Sequence, residues 1–492
     1  MLRQNRLNTM RSSVIENLLP KPTGVNRFLI AAFIAFVCTS VFSQKSLSLV
    51  DAVRIGLESN FDAQIQKLEQ DQAARLNNWG QAGALPSVLL TANQNNSVVE
   101  RKPANPFAVA GRNISNNAPG QLDIQWTLFN GFAVRMNKHR LEQLEQQTEG
   151  NARFILENTV QTIVLAYYNV LVEQERLVVR EKLTQFSKQL YEYVKLKKSL
   201  GGAITLDVLQ GQNNYLTDSA NYLRQKIALK SAVRNLNELL NQNLETSYTF
   251  SDMLKFEPES FDYETMRSRL ISSNASLRSQ YVFQELQRTA RRSIQSAMYP
   301  SLTLGFGSTG SLDQLNAKFR PTANGTVVKS TVGYLNDDDT QPVIGRSFAP
   351  EYRTIQGYSY GSYANLSLRF TLFNGGQVRR AVKNAEIEEK IASLGTEKLK
   401  LSLENDLLTG MEQYELRKQL AIIAGTKLKA AELNLSLAYE RYKNGSFSTI
   451  ELRIVEENFE NAALENFAAI YEVLAMKTDL VRLTGGLLEA YN

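Results

Sequence analysis

The chain carries one structural pattern twice. The six residues 126–131, Trp-Thr-Leu-Phe-Asn-Gly, recur 244 positions later as Phe-Thr-Leu-Phe-Asn-Gly at 370–375. A different shift, of 214 positions, relates Pro86 to Pro300. The shifts differ by 30 residues, so the second copy has a longer insertion between its proline and its Leu-Phe-Asn-Gly. Matched spacings in both halves indicate a duplicated structural unit and constrain the halves to one fold. The copies are predicted to span residues 44–248 and 249–492.

An apolar run at 28–42 follows a basic leader. This run is shorter than the ~20 residues that a membrane-spanning helix needs, and it ends near a small-residue cleavage site. We therefore predict that residues 1–43 are a secretory signal; the alternatives are an uncleaved anchor and translation from Met10. Cys38, the single cysteine, lies in the run and is either discarded with the signal or lipidated.

Removal of the signal also removes most of the net charge. The whole chain carries +6, and five Lys/Arg against one acid give the leader +4, which leaves +2. This charge gives no reason to expect nucleic acid as a partner. With a single histidine, His139, and no cysteine after the signal, zinc sites and histidine-based triads are excluded. We expect no cofactor, no metal and no enzymatic activity.

Two long stretches lack proline, at 120–256 and after 350. Because proline breaks helix interiors, these stretches can carry very long helices, and apolar residues recur in them at steps of three and four. A helix of seventy residues would span ~100 Å, which implies a rod or tube. The predicted helices are lead-in helices at 47–84 and 262–298, long helices at 131–200 and 376–443, and return helices at 205–243 and 449–485.

Between the lead-in and long helices the apolar period changes to two. In the segment 121–128, for example, Leu, Ile, Trp and Leu alternate with Gln, Asp, Gln and Thr. Such alternation over about ten residues is typical of a transmembrane β-strand with one face toward lipid. Four strands cannot close into a barrel, and open edges are not tolerated in hydrocarbon, so several copies must share one barrel. The predicted strands are 86–99, 120–130, 300–308 and 358–374, with outward loops at 94–119 and 308–357.

The duplication, the strand starts after proline, the two Leu-Phe-Asn-Gly turns and the two helical hairpin tips together resemble the TolC-like outer-membrane efflux proteins. The resemblance covers nearly all of residues 46–486. It implies a mainly α fold with a transmembrane β-barrel part: a homotrimer with twelve strands in one barrel and twelve helices in a periplasmic tube. It also implies a passive, porin-like exit duct in the outer membrane of a Gram-negative bacterium. The implied partners are outer-membrane lipid, a periplasmic adaptor (membrane fusion protein) and an inner-membrane pump of RND or ABC type.

The resemblance assigns three groups of residues. The strand–helix turns are Leu128, Phe129, Asn130 and Gly131, and Leu372, Phe373, Asn374 and Gly375. The adaptor-docking tips are Gly201, Gly202, Ala203, Ile204, Thr205, Gly445, Ser446, Ser448 and Thr449. The periplasmic aperture is assigned to Asp207, Tyr442, Phe447 and Glu451.

The aperture departs from the family in part. An acid–tyrosine contact of the family is kept as Asp207 and Tyr442, but its arginine and threonine are replaced by Phe447 and Leu206. We therefore expect the closed state to depend more on apolar contact than on hydrogen bonds. Two hypotheses follow: Asp207 and Tyr442 latch the tip, and a ring of Glu451 sets a cation preference that weakens at low pH. The alternative for both acids is a helix N-terminal charge that interacts with the helix dipole.

Two further motifs have simpler explanations than a ligand site. The segment 305–310, Gly-Phe-Gly-Ser-Thr-Gly, matches a dinucleotide-binding pattern, but no helical sequence follows it. The acidic run 337–339 has the oxygen ligands of a calcium site, but a solvated acidic loop tip is the favoured explanation. Two alternatives to an efflux duct remain: a protein-secretion duct of a type I system, and a periplasmic coiled-coil adaptor or scaffold without membrane-facing strands.

Overall fold

The computed structural model describes residues 45–104, 109–321, 323–335 and 339–491. The predicted signal 1–43, including Cys38, lies outside the described residues, as do Asp337 and Asp338 of the acidic run.

Three of the four helices in each half repeat with equal lengths, and the second lead-in helix has 16 residues in the first half and 21 in the second. The long helices have 67 residues each, the return helices 35 each, and the first lead-in helices 11 each. The first half contains α1 (Leu49–Ser59), α2 (Phe61–Leu76), α3 (Ala133–Ser199) and α4 (Thr205–Leu239). The second half contains α5 (Tyr263–Ser273), α6 (Ala275–Gln295), α7 (Gln377–Lys443) and α8 (Thr449–Leu483), and α9 (Leu487–Ala490) ends the chain. The predicted long and return helices are confirmed.

Each lead-in region is two helices, so the prediction of one continuous helix at 47–84 and at 262–298 is wrong. The break falls at Asn60 in the first copy and at Asn274 in the second, and both residues have an extended backbone. The Asn274 side-chain oxygen accepts from Leu277 N–H at 2.9 Å, which caps α6, while its amide donates to the Leu483 carbonyl at 2.9 Å. Asn60 caps α2 and donates to the Leu239 carbonyl in the same way. An asparagine N-cap starts a new helix where helical composition alone predicts continuity.

The strands form one large antiparallel sheet. Its members are β2 (Ser87–Ala92), β3 (Asn95–Arg101), β4 (Gly111–Asn130), β6 (Ser301–Phe319) and β9 (Glu351–Arg369). The order is β2-β4-β6-β9, and β3 continues β2 along the same side of β4 after a two-residue interruption. Two short parallel strands, β1 (Lys45–Leu47) and β5 (Tyr248–Phe250), pair at the start of the two helical regions. These two strands were not predicted from the sequence.

The duplication extends to the strand register. β2 pairs with β4 so that Val88 faces Ile124, and the two sequence shifts carry this pair onto Leu302 and Leu368. Leu302 and Leu368 are partners in the β6–β9 register. The sheet is therefore the same two-strand unit used twice.

The predicted strand and loop boundaries need correction. Much of the region 94–119 is strand, because β3 and the outer half of β4 pair from Asn95↔Asn117 to Arg101↔Gly111. The predicted loop 308–357 likewise contains the outer halves of β6 and β9 and a separate hairpin, β7 (Val327–Tyr334) with β8 (Pro342–Phe348). These segments are rich in Asn, Ser and Gly, a composition typical of loops, so the sequence predicts loops here. They form strands because neighbouring strands pair with their backbone groups. The last strand ends at Arg369, before the predicted limit of 374.

The helices pack side by side in a fixed order. Toward the hairpin tips α4 packs on α3, α3 on α8, and α8 on α7, whereas toward the sheet the order is α2, α3, α6 and α7. Three buried apolar clusters hold this wall together: two occupy equivalent positions in the two halves, and the third, at the tip end, contains Leu190, Val194, Leu452 and Phe459. Within the described ranges, no helix combines the length and the apolarity that crossing a membrane requires.

Candidate functional site: the hairpin tips and the aperture residues

The two hairpin tips have the same backbone geometry. α3 ends where Gly201 adopts φ +79°, and Gly202 N–H donates to the Lys197 carbonyl at 2.9 Å. α7 ends in the same way, with Gly445 at φ +74° and Ser446 N–H bonded to the Arg441 carbonyl at 3.0 Å. This hydrogen-bond pattern closes a helix through a left-handed residue, a conformation that glycine adopts without steric cost. Each tip is thus a short, defined turn, with Ala203 and Ile204 or Phe447 and Ser448 leading into the return helix.

The two predicted aperture acids occupy equivalent positions in the first turn of their helices. Glu451 accepts a hydrogen bond from Ser448 N–H at 2.8 Å, and Ser448 Oγ accepts from Glu451 N–H at 3.2 Å. Asp207 accepts from Ile204 N–H at 3.2 Å. These are capping interactions, reciprocal at α8 and single at α4, because Ile204 has no polar side chain. The bonds from the Ser448 N–H and hydroxyl hold the pKa of Glu451 below its usual range.

Tyr442 lies near Asp207 and has further neighbours on its other sides. The ring is half-buried and packs edge-on to Tyr193 at 6.2 Å. Burial raises the pKa of Tyr442, the Thr449 side chain beside the hydroxyl lowers it, and the negative charge of Asp207 adds to the effect of burial. Within one chain, Asp207 therefore acts on Tyr442 through its charge and uses its carboxylate to cap α4. The predicted latch between them stays a prediction.

Phe447 and Ala203 pack against the buried cluster at the tip end of the wall. Phe447 stands where the family has an arginine, and its ring covers apolar side chains instead of reaching a hydrogen-bond partner. Phe447 and Tyr442 pack against the same cluster, and the expectation that the closed state depends on apolar contact stays a prediction.

A charged network just above the tips was missed in the sequence. Arg453 on α8 donates to both carboxylate oxygens of Asp218 on α4, at 2.9 and 3.0 Å. It also lies 3.5 Å from Glu456, to which Tyr439 donates its hydroxyl hydrogen at 2.7 Å. The side chains of Asp218 and Glu456 are 4% and 3% exposed. The two return helices, which come from different halves of the chain, are therefore joined by a buried bidentate ion pair.

The pKa shifts in this network have clear causes. Burial raises the pKa of Glu456, and the bonds from Tyr439 and Arg453 oppose that rise. Burial opposes the charge on Arg453, but the carboxylate of Asp218 outweighs it and holds the pKa of Arg453 above its usual range. The available signal was the pattern on α4: Asn214, Asp218 and Gln225 are polar residues on the buried face of the helix.

Solved structures share this architecture. The Campylobacter jejuni CmeC outer membrane channel is 16% identical, with a TM-score of 0.65 over 89% of this chain and 86% of that one. The outer-membrane channel OprN is 17% identical, with a TM-score of 0.63 over 89% and 90% of the two chains. The Neisseria gonorrhoeae MtrE outer membrane channel, in its open state, is 16% identical, with a TM-score of 0.62 over 89% of each chain. No family model and no curated protein sequence matches the chain.

The chain has the fold of the outer-membrane channels. The predicted fold class, long paired helices with four strand positions per chain, is confirmed. At these identities the likeness establishes the architecture, and the roles of individual tip residues remain predictions.

In this channel fold the two strand–helix turns differ in their surroundings. At the first turn, Gly131 has φ +65°, and a Cβ there would lie 2.3 Å from the Ser296 carbonyl oxygen. Phe129 and Tyr299 both pack edge-on against Phe132. At the second turn, a Cβ on Gly375 would meet nothing within 4 Å. Leu372 and Phe373 beside it are 87% and 85% exposed.

The outermost helices of the wall also leave apolar side chains uncovered. Leu209, Leu216 and Leu223 are exposed at seven-residue spacing on α4. α7, at the other end of the helix order, exposes Ile387, Ile391, Leu394, Leu401, Leu408, Leu416, Leu420 and Ile423. Seven-residue apolar spacing is typical of helix–helix seams, and apolar surface of this extent marks an interaction site.

Proposed function

We propose that three copies of this chain form a passive exit duct in the outer membrane of a Gram-negative bacterium, with a helical extension into the periplasm. The sheet crosses the membrane, and the helical wall forms the tube below it. An inner-membrane pump drives small molecules through the duct by way of a periplasmic adaptor. The chain performs no chemistry in this role.

The open sheet is the observation that carries the proposal. Among the strands that the structure describes, β9 and the β2/β3 side each pair with one strand only, so the described part of one chain leaves two long open edges. The even-numbered residues of β6 and β9 are mostly apolar from Leu302 to Leu312 and from Leu368 to Tyr358. Such an apolar face is compatible with contact to lipid. The open strand edges are not, because each unpaired backbone group in hydrocarbon costs several kcal/mol. If these edges pair with the edges of further copies, the apolar face stays toward lipid and the backbone groups at the edges are hydrogen-bonded.

The duplication supplies the contacts for that closure. The first turn packs on Ser296 and Tyr299, whose equivalents in the first half, Ala82 and Leu85, lie 214 positions earlier. The second turn, with its exposed Leu372 and Phe373, has no such partner among the described residues of its own chain. Residues 82–85 of a neighbouring copy can pack against the second turn, just as residues 296–299 pack against the first turn within one chain. The resemblance to the TolC-like family sets the number of copies at three and the number of strands at twelve.

The tips are the proposed adaptor contact and aperture. Gly201, Gly202, Gly445 and Ser446 give two exposed turns of equal geometry, which suits recognition by a repeated partner. Asp207 and Glu451 stand at the first turns of the return helices, and Tyr442 and Phe447 pack behind them. We propose that Glu451 from three copies biases the duct toward cations, and that Asp207 and Tyr442 restrain opening.

Reconstitution into a planar bilayer tests the proposed function. The purified full chain is expected to run as a heat-modifiable trimer on gels and to give discrete conductance steps. Tyr442→Phe removes the hydroxyl and is expected to raise conductance and antibiotic leakage, with Tyr222→Phe on α4 as the control. A water-soluble monomer that gives no conductance would exclude the duct. Unchanged conductance in Tyr442→Phe would exclude only the latch.

A further inference from the structure

The sheet face assigned to lipid has an ordered series of side chains beyond its apolar band. Even-numbered residues of β4, β6 and β9 share one face from Trp126 outward, because both registers pair even with even positions beyond the irregularity between Thr127 and Phe129. On this face the apolar band extends away from the helices as far as Ala118, Leu312 and Tyr358. Leu312 and Tyr358 are largely exposed in the single chain.

A row of amides follows directly on the same face. Asn116, Gln314 and Gln356 are adjacent across the three strands, and Asn116 Nδ2 donates to Gln314 Oε1 at 3.1 Å. These three side chains and the last apolar residues line a groove of ≈ 490 Å³. The groove is apolar at the end toward the helices and offers amide donors and acceptors at the other end. Such a boundary suits a ligand with an apolar part and a hydroxyl-rich part.

Two cations stand four residues farther from the helices. Continuation of the β4–β6 register places Arg112 opposite Lys318. Lys318 Nζ lies 5.2 Å from the Tyr352 ring centroid, and Arg112 N–H donates to the Tyr352 hydroxyl at 3.4 Å. Glu100, the cross-strand partner of Arg112 on β3, shares this face and lies on the other side of β4 from Lys318. Arg112 therefore has a positive neighbour, Lys318, on one side and a negative neighbour, Glu100, on the other, and the space between Arg112 and Lys318 is flanked by the two positive charges.

We propose that this face binds a phosphorylated glycolipid of the leaflet around the outer ends of the strands. The acyl chains lie against Leu312 and Tyr358, the sugar hydroxyls contact the amide row, and phosphate is held by Arg112 and Lys318. Guanidinium and ammonium groups are strong phosphate ligands, and long basic side chains can bend back toward the bilayer. Four strand residues span ~13 Å, which separates the sugar and phosphate contacts. The inference rests on the proposed function, since it needs this face to meet lipid.

The test is a binding titration with the purified full chain in detergent. The probes are lipid A with both phosphates, dephosphorylated lipid A and inorganic phosphate. The test variant is Arg112→Gln/Lys318→Gln. The matched control is Arg353→Gln, which removes a charge from the same end of the sheet but from the odd-numbered face. Bilayer conductance is recorded for every preparation.

The wild-type chain and Arg353→Gln are expected to bind phosphorylated lipid A roughly tenfold or more tightly than the double variant. Dephosphorylated lipid A is expected to bind equally weakly to all three. Equal affinity of the double variant and the wild type would overturn the inference. So would tight binding of dephosphorylated lipid A, or displacement of the lipid by a modest excess of inorganic phosphate, which would indicate a phosphate site only. Normal conductance with any of these results leaves the duct intact, whereas no conductance in the wild type would contradict both proposals.

Discussion

Glu451 and Asp207 each cap a helix, and we propose that the same carboxylates face the pore. Each bonds the backbone N–H three residues before it, so each has a structural role in its own chain. At the proposed axis, three copies of Glu451 would also repel one another, which favours bound cations or protonation. Hydrogen bonds to Ser448 act in the opposite direction, because they stabilise the charged form.

The direction of the Glu451 pKa shift leads to a prediction for the ion selectivity of the duct. Since the pKa of Glu451 is lowered from 4.5, its capping contribution is present above that value and is lost as pH falls through the lower folded value. We expect cation preference in bilayer recordings to persist at neutral pH and to decline only in acid, and Glu451→Gln to abolish both the preference and its decline. Asp262→Asn, which removes another N-cap carboxylate away from the tips, is the control. Identical reversal potentials for Glu451→Gln and the wild type at every pH would contradict the ring.

Arg453 provides a second test at the residue scale. Arg453→Met leaves the buried carboxylates of Asp218 and Glu456 without their cation, and breaking such a pair typically costs ~3–5 kcal/mol. We expect a marked fall in the thermal unfolding midpoint of the helices, followed by circular dichroism. Asp218→Asn/Arg453→Met removes one orphaned charge and should recover part of the loss. Lys443→Met breaks an exposed pair with Glu440 and should change little. A midpoint for Arg453→Met equal to that of Lys443→Met would show that the network does not hold the helices.

At the scale of elements, the helices were predictable and the junctions were not. Proline-free stretches and apolar periodicity predicted α3, α4, α7 and α8 within a few residues, because these signals are local. The breaks at Asn60 and Asn274 depend on bonds to carbonyls at the far ends of α4 and α8. The Arg453–Asp218 pair likewise joins residues 235 positions apart. Contacts of this separation leave at most a weak local pattern, such as the polar residues on α4, so the network was not predicted, and the aperture residues were proposed only through the family resemblance.

The asparagine breaks also carry a prediction. Asn274→Ala removes the cap of α6 and leaves the Leu483 carbonyl without its donor, so we expect a loss of ~1–3 kcal/mol in unfolding free energy. Asp262→Ala removes a cap that makes no contact with the far helix and should cost less. Denaturant titration followed by circular dichroism measures both. Equal losses for the two variants would show that the bond to Leu483 contributes nothing.

At the scale of the whole molecule, the sheet of one chain has open edges, and the contact between its two halves is one that neighbouring copies can repeat. The β4–β6 junction joins the first half to the second, and the two sequence shifts carry its pair Gln121↔Thr309 onto Asn365 and Asn95. Asn365 lies on β9 and Asn95 on β3, the two unpaired edges of the sheet. If copies join as the halves do, Asn365 of each copy faces Asn95 of the next. The same operation brings the exposed second turn against residues 82–85 of the neighbour.

Disulfide trapping across that junction tests the central claim most directly. The only natural cysteine lies in the predicted signal, so Asn95→Cys/Asn365→Cys introduces one defined pair. Under mild oxidation in native membranes, the account predicts a covalent trimer on denaturing gels that reverts to monomer on reduction. Asn95→Cys/Ser359→Cys, displaced by six residues along β9, is predicted to stay monomeric. A chain that remains monomeric in the first variant, or that cross-links equally well in both, would contradict closure of the sheet by neighbouring copies.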